Sequence, residues 1–194
     1  MIRHPTASRS RRLGLSLPGI GALGRSERVA AALGARLDDG FHWFPDISPG
    51  GMERLDAVVV GPGGTWVLGY AEKRGRFRHR NGHWYRWNAS TESWVPWDAV
   101  PVTGARVAGR RLSLYLERAA LPAAVEVALV APRGTDVSWD SAEEAHMFVT
   151  ADAVELGARI ARDDVLAQSQ VDRIVALLDP RQPLPQLAPS SPRG

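Results

Sequence analysis

The chain has 194 residues, a net charge of +3 and 44% hydrophobic residues, enough apolar material for a buried core. It contains no cysteine, which excludes disulfides and thiolate metal sites, and no apolar run of about 18 residues that would read as a membrane span. Lys73 is the sole lysine, so the positive charge is carried almost entirely by arginine.

Residues 1–24 open basic (Arg3, Arg9, Arg11, Arg12) and continue Gly/Leu-rich without periodicity, which predicts a flexible arm. Leu13–Gly24 loosely imitates a signal peptide. Its four glycines, its proline and the lack of a clear cleavage site argue against secretion, and the expected location is cytoplasmic. Ser26–Leu37 predicts a helix, with Val29, Ala32, Leu33 and Leu37 on one face, Ser26 as cap and Glu27 in the first turn. Phe41–Ile47 predicts a strand that Pro45 confines to an edge or a bulge.

Met52–Val60 and Thr65–Ala71 predict an apolar hairpin around Gly61-Pro62-Gly63-Gly64, with Asp56 as the one ionisable residue from Leu55 to the turn. Asp56 reads either as a turn carboxylate or as a site residue, since a carboxylate entering an apolar strand is costly to bury. The run Lys73, Arg74, Arg76, Arg78, His79, Arg80 follows. It suits a solvated edge strand or a phosphate-contacting rim. Gly82–Trp97 holds four of the seven tryptophans, and Trp84, Tyr85, Trp87, Trp94 and Trp97 fit either base stacking or strand packing.

Val102–Ala120 predicts a long helix with an apolar stripe of Ala108, Leu112, Tyr115, Leu116 and Ala119, stopped by Pro122. Val125–Val130 predicts a strand, followed by a polar loop, a short strand at His146–Val149, and helices at Ala151–Ile160 and about Val165–Leu178. Pro180–Gly194, with five prolines, predicts a disordered tail. The histidines lack metal-ligand spacing, and the Gly61–Gly64 turn is not followed by Lys and Ser/Thr, so it is no phosphate cradle. The order predicts an α/β fold, a mixed and mostly antiparallel sheet flanked by helices, over residues 25–179.

Three stretches resemble the nuclease-related domain (NERD) family, a branch of the PD-(D/E)XK nuclease-like superfamily. Ser26-Glu27-Arg28-Val29 with Leu33 resembles its Gly-Glu helix, with Ser26 in place of the glycine. Leu55-Asp56-Ala57-Val58-Val59-Val60-Gly61-Pro62-Gly63-Gly64 is similar to its Ile-Asp-His-Val-Val-Val-Gly-Pro-x-Gly segment. Thr65–Leu68 and Gly75-Arg76-Phe77 match the next strand and turn.

The resemblance implies a restriction-endonuclease-like core and Mg²⁺-assisted phosphodiester hydrolysis, with carboxylates holding the metal and a strand lysine orienting the water. It assigns Glu27 and Asp56 to the metal. The second-strand carboxylate and lysine positions fall on Gly69 and Ala71, which cannot perform those roles. Glu72 and Lys73 lie just downstream, but adjacent strand residues point to opposite faces unless a bulge re-aims one of them. The implied function is therefore a nuclease-derived, nucleic-acid-binding domain, DNA ahead of RNA. Arg74, Arg76, Arg78 and Arg80 make the contacts, Mg²⁺ is held weakly, and catalysis is lost or impaired. The alternatives are an active Mg²⁺-dependent nuclease using Glu27, Asp56, Glu72 and Lys73, and a protein-interaction scaffold.

Overall fold

The computed structural model describes residues 1–5, 20–121, 123–139, 147–162 and 164–179. It is a mixed α/β structure with two sheets and four helices, in agreement with the expected fold class. The elements are β1 (Ile2–Arg3), α1 (Ile20–Gly34), β2 (His42–Ile47), β3 (Leu55–Gly61), β4 (Gly64–Tyr70), β5 (Arg76–Arg80), β6 (His83–Asn88), β7 (Ser93–Pro96), α2 (Val100–Arg118), β8 (Val125–Val130), β9 (Asp136–Trp139), β10 (Phe148–Thr150), α3 (Ala153–Ile160) and α4 (Gln168–Leu178).

The larger sheet has the order β1-β2-β3-β4-β8-β10. The hairpin β3–β4 is its centre, closed by a two-residue loop, Pro62-Gly63, between the paired Gly61 and Gly64. Gly64 adopts φ +104°, a conformation that favours glycine, which explains why the turn ends on this residue. The Pro62 carbonyl accepts hydrogen bonds from the Val165 and Leu166 amides, so the hairpin tip fixes the connection between α3 and α4.

The strand residues alternate between two cores. Ala57, Val59, Trp66 and Leu68 pack with Val29, Leu33 and Leu37 of α1 and its C-terminal extension and with Leu156 and Ile160 of α3. Val58, Val60 and Val67 pack with Leu112 and Leu116 of α2 and Val171 and Ile174 of α4. β3 and β4 are buried on both faces, which is why they read as apolar runs and not as alternations.

The smaller sheet, β7-β6-β5-β9, is inserted between β4 and the end of the α/β core. Its strand β5 alternates in burial. Phe77 and His79 are buried, while Arg76 and Arg80 are exposed and Arg78 is half-buried. Trp84 and Trp97 face inward against the cluster containing Val102, Leu129 and Met147.

Several expectations are corrected. Ile2–Arg3 pairs in parallel with His42–Trp43, because the Ile2 and His4 amides donate to the Phe41 and Trp43 carbonyls; the chain start is a strand and not an arm. Helix α1 begins at Ile20, so Ser26 lies inside it and does not cap it. The polar stretches around Ser93 and Asp136 are strands, β7 and β9, recruited by pairing with β6 and β5. Pro45 lies beyond the short β1 pairing, so β2 is locally an edge there, as expected. Residues 20–24 of the expected arm are the first turns of α1, and residues 6–19, the Pro-rich tail, Pro122 and His146 lie outside the described residues.

Candidate functional site

Asp56 is the second residue of β3, exposed between buried Leu55 and Ala57. The cleft at Asp56 is lined by Pro101, Gly104 and Ala105 of α2, and the Arg25 cation of α1 also acts on its carboxylate, while Glu27 lies exposed on α1. One Asp56 carboxylate oxygen accepts the Tyr70 amide at 3.3 Å. Burial among the apolar strands pushes the Asp56 pKa up; the Tyr70 amide and the Arg54 and Arg25 cations oppose that shift, and the Asp46 carboxylate adds to it.

Continuing the β3–β4 register places Gly69 opposite Asp56. This is the position where the nuclease resemblance requires a second carboxylate. A Cβ there would lie 3.1 Å from the Ala105 Cβ of α2 and 3.5 Å from Leu129 Cδ1. A side chain there would press on α2, and Ala105 would have to give by a few tenths of an ångström to admit it. Ala71 uses its amide to extend the β8 pairing, donating to the Val130 carbonyl, and its side chain packs on the apolar cluster.

The four expected catalytic residues are not brought together. Glu27 is exposed on α1 and pairs with Arg3 at 3.3 Å. Glu72 and Lys73 lie exposed in the coil after β4. Asp56 lines a cleft of about 270 Å³ with Glu53, Arg54, Gly69, Ala105 and Arg111, whereas Glu72 lines two other clefts. Among the described residues no group of three or more His, Asp or Glu side chains could hold a metal ion.

Asp46, which the sequence reading passed over, is the carboxylate nearest in register to Asp56. The β2–β3 pairing runs Pro45↔Ala57 and Ile47↔Leu55, leaving Asp46 between them with φ +52°. Such a φ is uncommon for a residue other than glycine. Asp46 binds the Arg54 guanidinium, and Glu53 binds that of Arg111. The charges around Asp56 are thus already matched within the protein. Only the β2–β3 register reveals Asp46; no local motif marks it.

Tyr70, beside Asp56, has its hydroxyl buried against Ser26 of α1, and burial pushes its pKa up to about 12. It therefore stays a neutral phenol at any physiological pH.

The basic run forms a different surface. Arg76, Arg78 and Arg80 share the outer face of the smaller sheet by two-residue spacing. Tyr85 pairs with Arg78, and Trp87 pairs with Trp94, which brings aromatic rings to the same face. The Arg78 guanidinium lies 4.5 Å from the Trp94 ring centre. That of Arg76 lies 5.4 Å from Trp87 and 5.9 Å from Trp94. Trp87 and Trp94 meet edge to face at 5.5 Å. Asp136 is 3.6 Å from Arg76 in a solvent-exposed pair. Arg74 is exposed in the coil preceding β5. Of the expected stacking residues, Trp84 and Trp97 are committed to internal packing, at 6.0 Å from each other, while Tyr85, Trp87 and Trp94 share the outer face.

No helix of the described residues is long and apolar enough to cross a membrane. Comparisons with protein-family models, with curated proteins and with solved structures return no match.

Proposed function

We propose that this protein is a nucleic-acid-binding domain on a nuclease-derived, restriction-endonuclease-like scaffold, and that it binds DNA through the outer face of the smaller sheet without cleaving it. The observation that carries the reading is the stacking of Arg76 and Arg78 on Trp87 and Trp94. An indole face under a guanidinium fixes the cation's plane and leaves its N–H edges directed outward, which suits bidentate contact with phosphate oxygens. Rings of Tyr85, Trp87 and Trp94 beside these cations supply sequence-tolerant surfaces for bases of an open strand.

Catalysis is not supported by the Asp56 environment. Gly69 lies under Ala105, Glu27 is paired with Arg3, and Glu72 belongs to other clefts. Supercoiled plasmid with Mg²⁺ or Mn²⁺ is expected to remain intact. Cleavage that disappears in Asp56→Ala would overturn the inactive reading.

Binding is tested by fluorescence anisotropy with single-stranded and duplex DNA across a salt series. The expected result is affinity that falls as salt rises, strongest for the single strand. The double variant Arg76→Ala/Arg78→Ala is expected to lower affinity at least tenfold, with the salt slope reduced by about 2. Absence of binding at low salt, or a double variant that binds like the parent, would refute the assignment.

A further inference from the structure

Four arginines from three separate segments line one cleft. Arg25 and Arg28 come from α1, Arg74 from the coil between β4 and β5, and Arg133 from the turn after β8. The cleft has a volume of about 600 Å³ and opens where β8 and β10 leave the sheet, between Val130–Ala131 and Ala151–Asp152. In open α/β sheets, the carboxyl ends of the strands are where ligand crevices form.

The charges of this cleft are not matched internally. None of the four guanidinium groups pairs with a carboxylate among the described residues. Arg25 is half-buried and donates to the Ala71 carbonyl, and the Arg28 Nε donates to the Gly24 carbonyl. These bonds anchor both side chains to the backbone. Arg74 and Arg133 make no hydrogen bond among the described residues. Two carboxylates also line the cleft, Glu72 and Asp152. That of Asp152 is engaged by the Val154 amide as the cap of α3. The cations therefore exceed the anions by two, four against two.

Like charges lining one cleft repel, and the repulsion is relieved by a multivalent anion that accepts from several guanidinium groups at once. The volume is larger than an isolated oxyanion needs and falls within the range of small-molecule sites. We propose that this cleft binds a phosphomonoester, with Arg28, Arg74 and Arg133 donating to the phosphate oxygens and Arg25 fixing the cleft wall. The phosphate belongs either to the end of a nucleic-acid strand or to a free nucleotide-sized molecule. The site uses neither Arg76 nor Arg78, so it goes beyond the sheet-face reading and stands or falls separately.

Thermal denaturation in phosphate or adenosine monophosphate, against chloride at equal ionic strength, tests the site. A saturable Tm rise of about 3–6 °C at tenfold excess over Kd is expected. Arg28→Ala/Arg133→Ala should keep the parent Tm in chloride and lose the phosphate response; Arg76→Ala/Arg78→Ala should retain it. No phosphate-specific rise, or a rise that survives in Arg28→Ala/Arg133→Ala, overturns the proposal. Should that variant fail to fold, Arg133→Gln alone serves, with at least a threefold weaker response expected and an unchanged one refuting the site.

The source of the phosphate follows from 5′-phosphorylated against 5′-hydroxyl oligonucleotides. A preference of about tenfold for the phosphorylated end, lost in Arg28→Ala/Arg133→Ala, identifies a strand terminus. Equal binding of the two oligonucleotides together with saturable adenosine monophosphate binding identifies a free phosphorylated molecule. Failure of both ligands to engage the cleft refutes it.

Discussion

The two sheets of this protein solve opposite problems. In the larger sheet, helices cover both faces of β3 and β4, and the charges that remain near Asp56 are matched by Arg54 with Asp46 and Arg111 with Glu53. Among the described residues, the smaller sheet packs on the core with one face, and its other face presents arginines supported by indole rings. A sheet that is half solvated can carry arginine charge at low cost, because water and the rings share it. The resemblance to a nuclease draws attention to the Asp56 region of the first sheet, whereas the charges proposed to meet a ligand lie on the outer face of the second sheet and in the cleft at the ends of β8 and β10.

That contrast can be broken from either side. The largest effect is expected for Leu112→Ala, fully buried between α2 and the larger sheet. Chemical denaturation should show a loss of about 3–4 kcal/mol. A loss below about 1 kcal/mol would mean that α2 does not seal the sheet as described.

Gly69→Asp restores the carboxylate that the nuclease resemblance calls for. It is expected to cost about 2–3 kcal/mol, since a carboxylate must enter against Ala105 and Leu129. It should create no Mg²⁺-dependent cleavage of plasmid. Stability equal to the parent, with metal-dependent cleavage, would show that only the residue, and not the space, was missing.

In the smaller sheet the corresponding cost is small. Arg78→Ala should lower stability by less than about 1 kcal/mol, the scale of an exposed cation–π contact, while weakening DNA binding. A loss comparable to that of Leu112→Ala would make the arginine face structural instead of ligand-binding.

The subtlest effect is a pH dependence at the join of β1 and β2. The His42 Nδ1 lies 3.0 Å from the His4 Nε2, and desolvation pushes the His42 pKa below its ordinary 6.5, ahead of the opposing pull of Asp172. The unfolded chain therefore binds more protons than the folded one as pH falls below about 6.5, and stability declines there. Urea midpoints at pH 7.5 and 5.5 should differ more for the parent than for His42→Gln. An identical drop in both would assign the acid sensitivity to other groups.

The legible parts of the fold were those with strong local periodicity. Val125–Val130 is a strand with the bounds its pattern predicts, and the Leu112–Leu116 stripe of α2 faces the core as its spacing requires. Boundaries failed where pairing partners overrode local composition. Ile2–Arg3 became a strand because β2 offered an open edge, and Asp136–Trp139 did so because β5 did. The candidate metal centre fared differently. The absence of side-chain chemistry at Gly69 and Ala71 was visible in the chain, but the displacement of Glu72 and the matching of Glu27 by Arg3 were not.

The sequence by itself determined the α/β class, the central hairpin and the alternation that places Arg76, Arg78 and Arg80 on one face, because these depend on periods of 3.6 and 2 that belong to the chain. Only the tertiary structure decided that Ala105 lies over Gly69, that Asp46 stands beside Asp56 and that Arg25, Arg28, Arg74 and Arg133 meet in one cleft. Those are contacts between residues dozens of positions apart, and register and helix packing set them, not any local pattern.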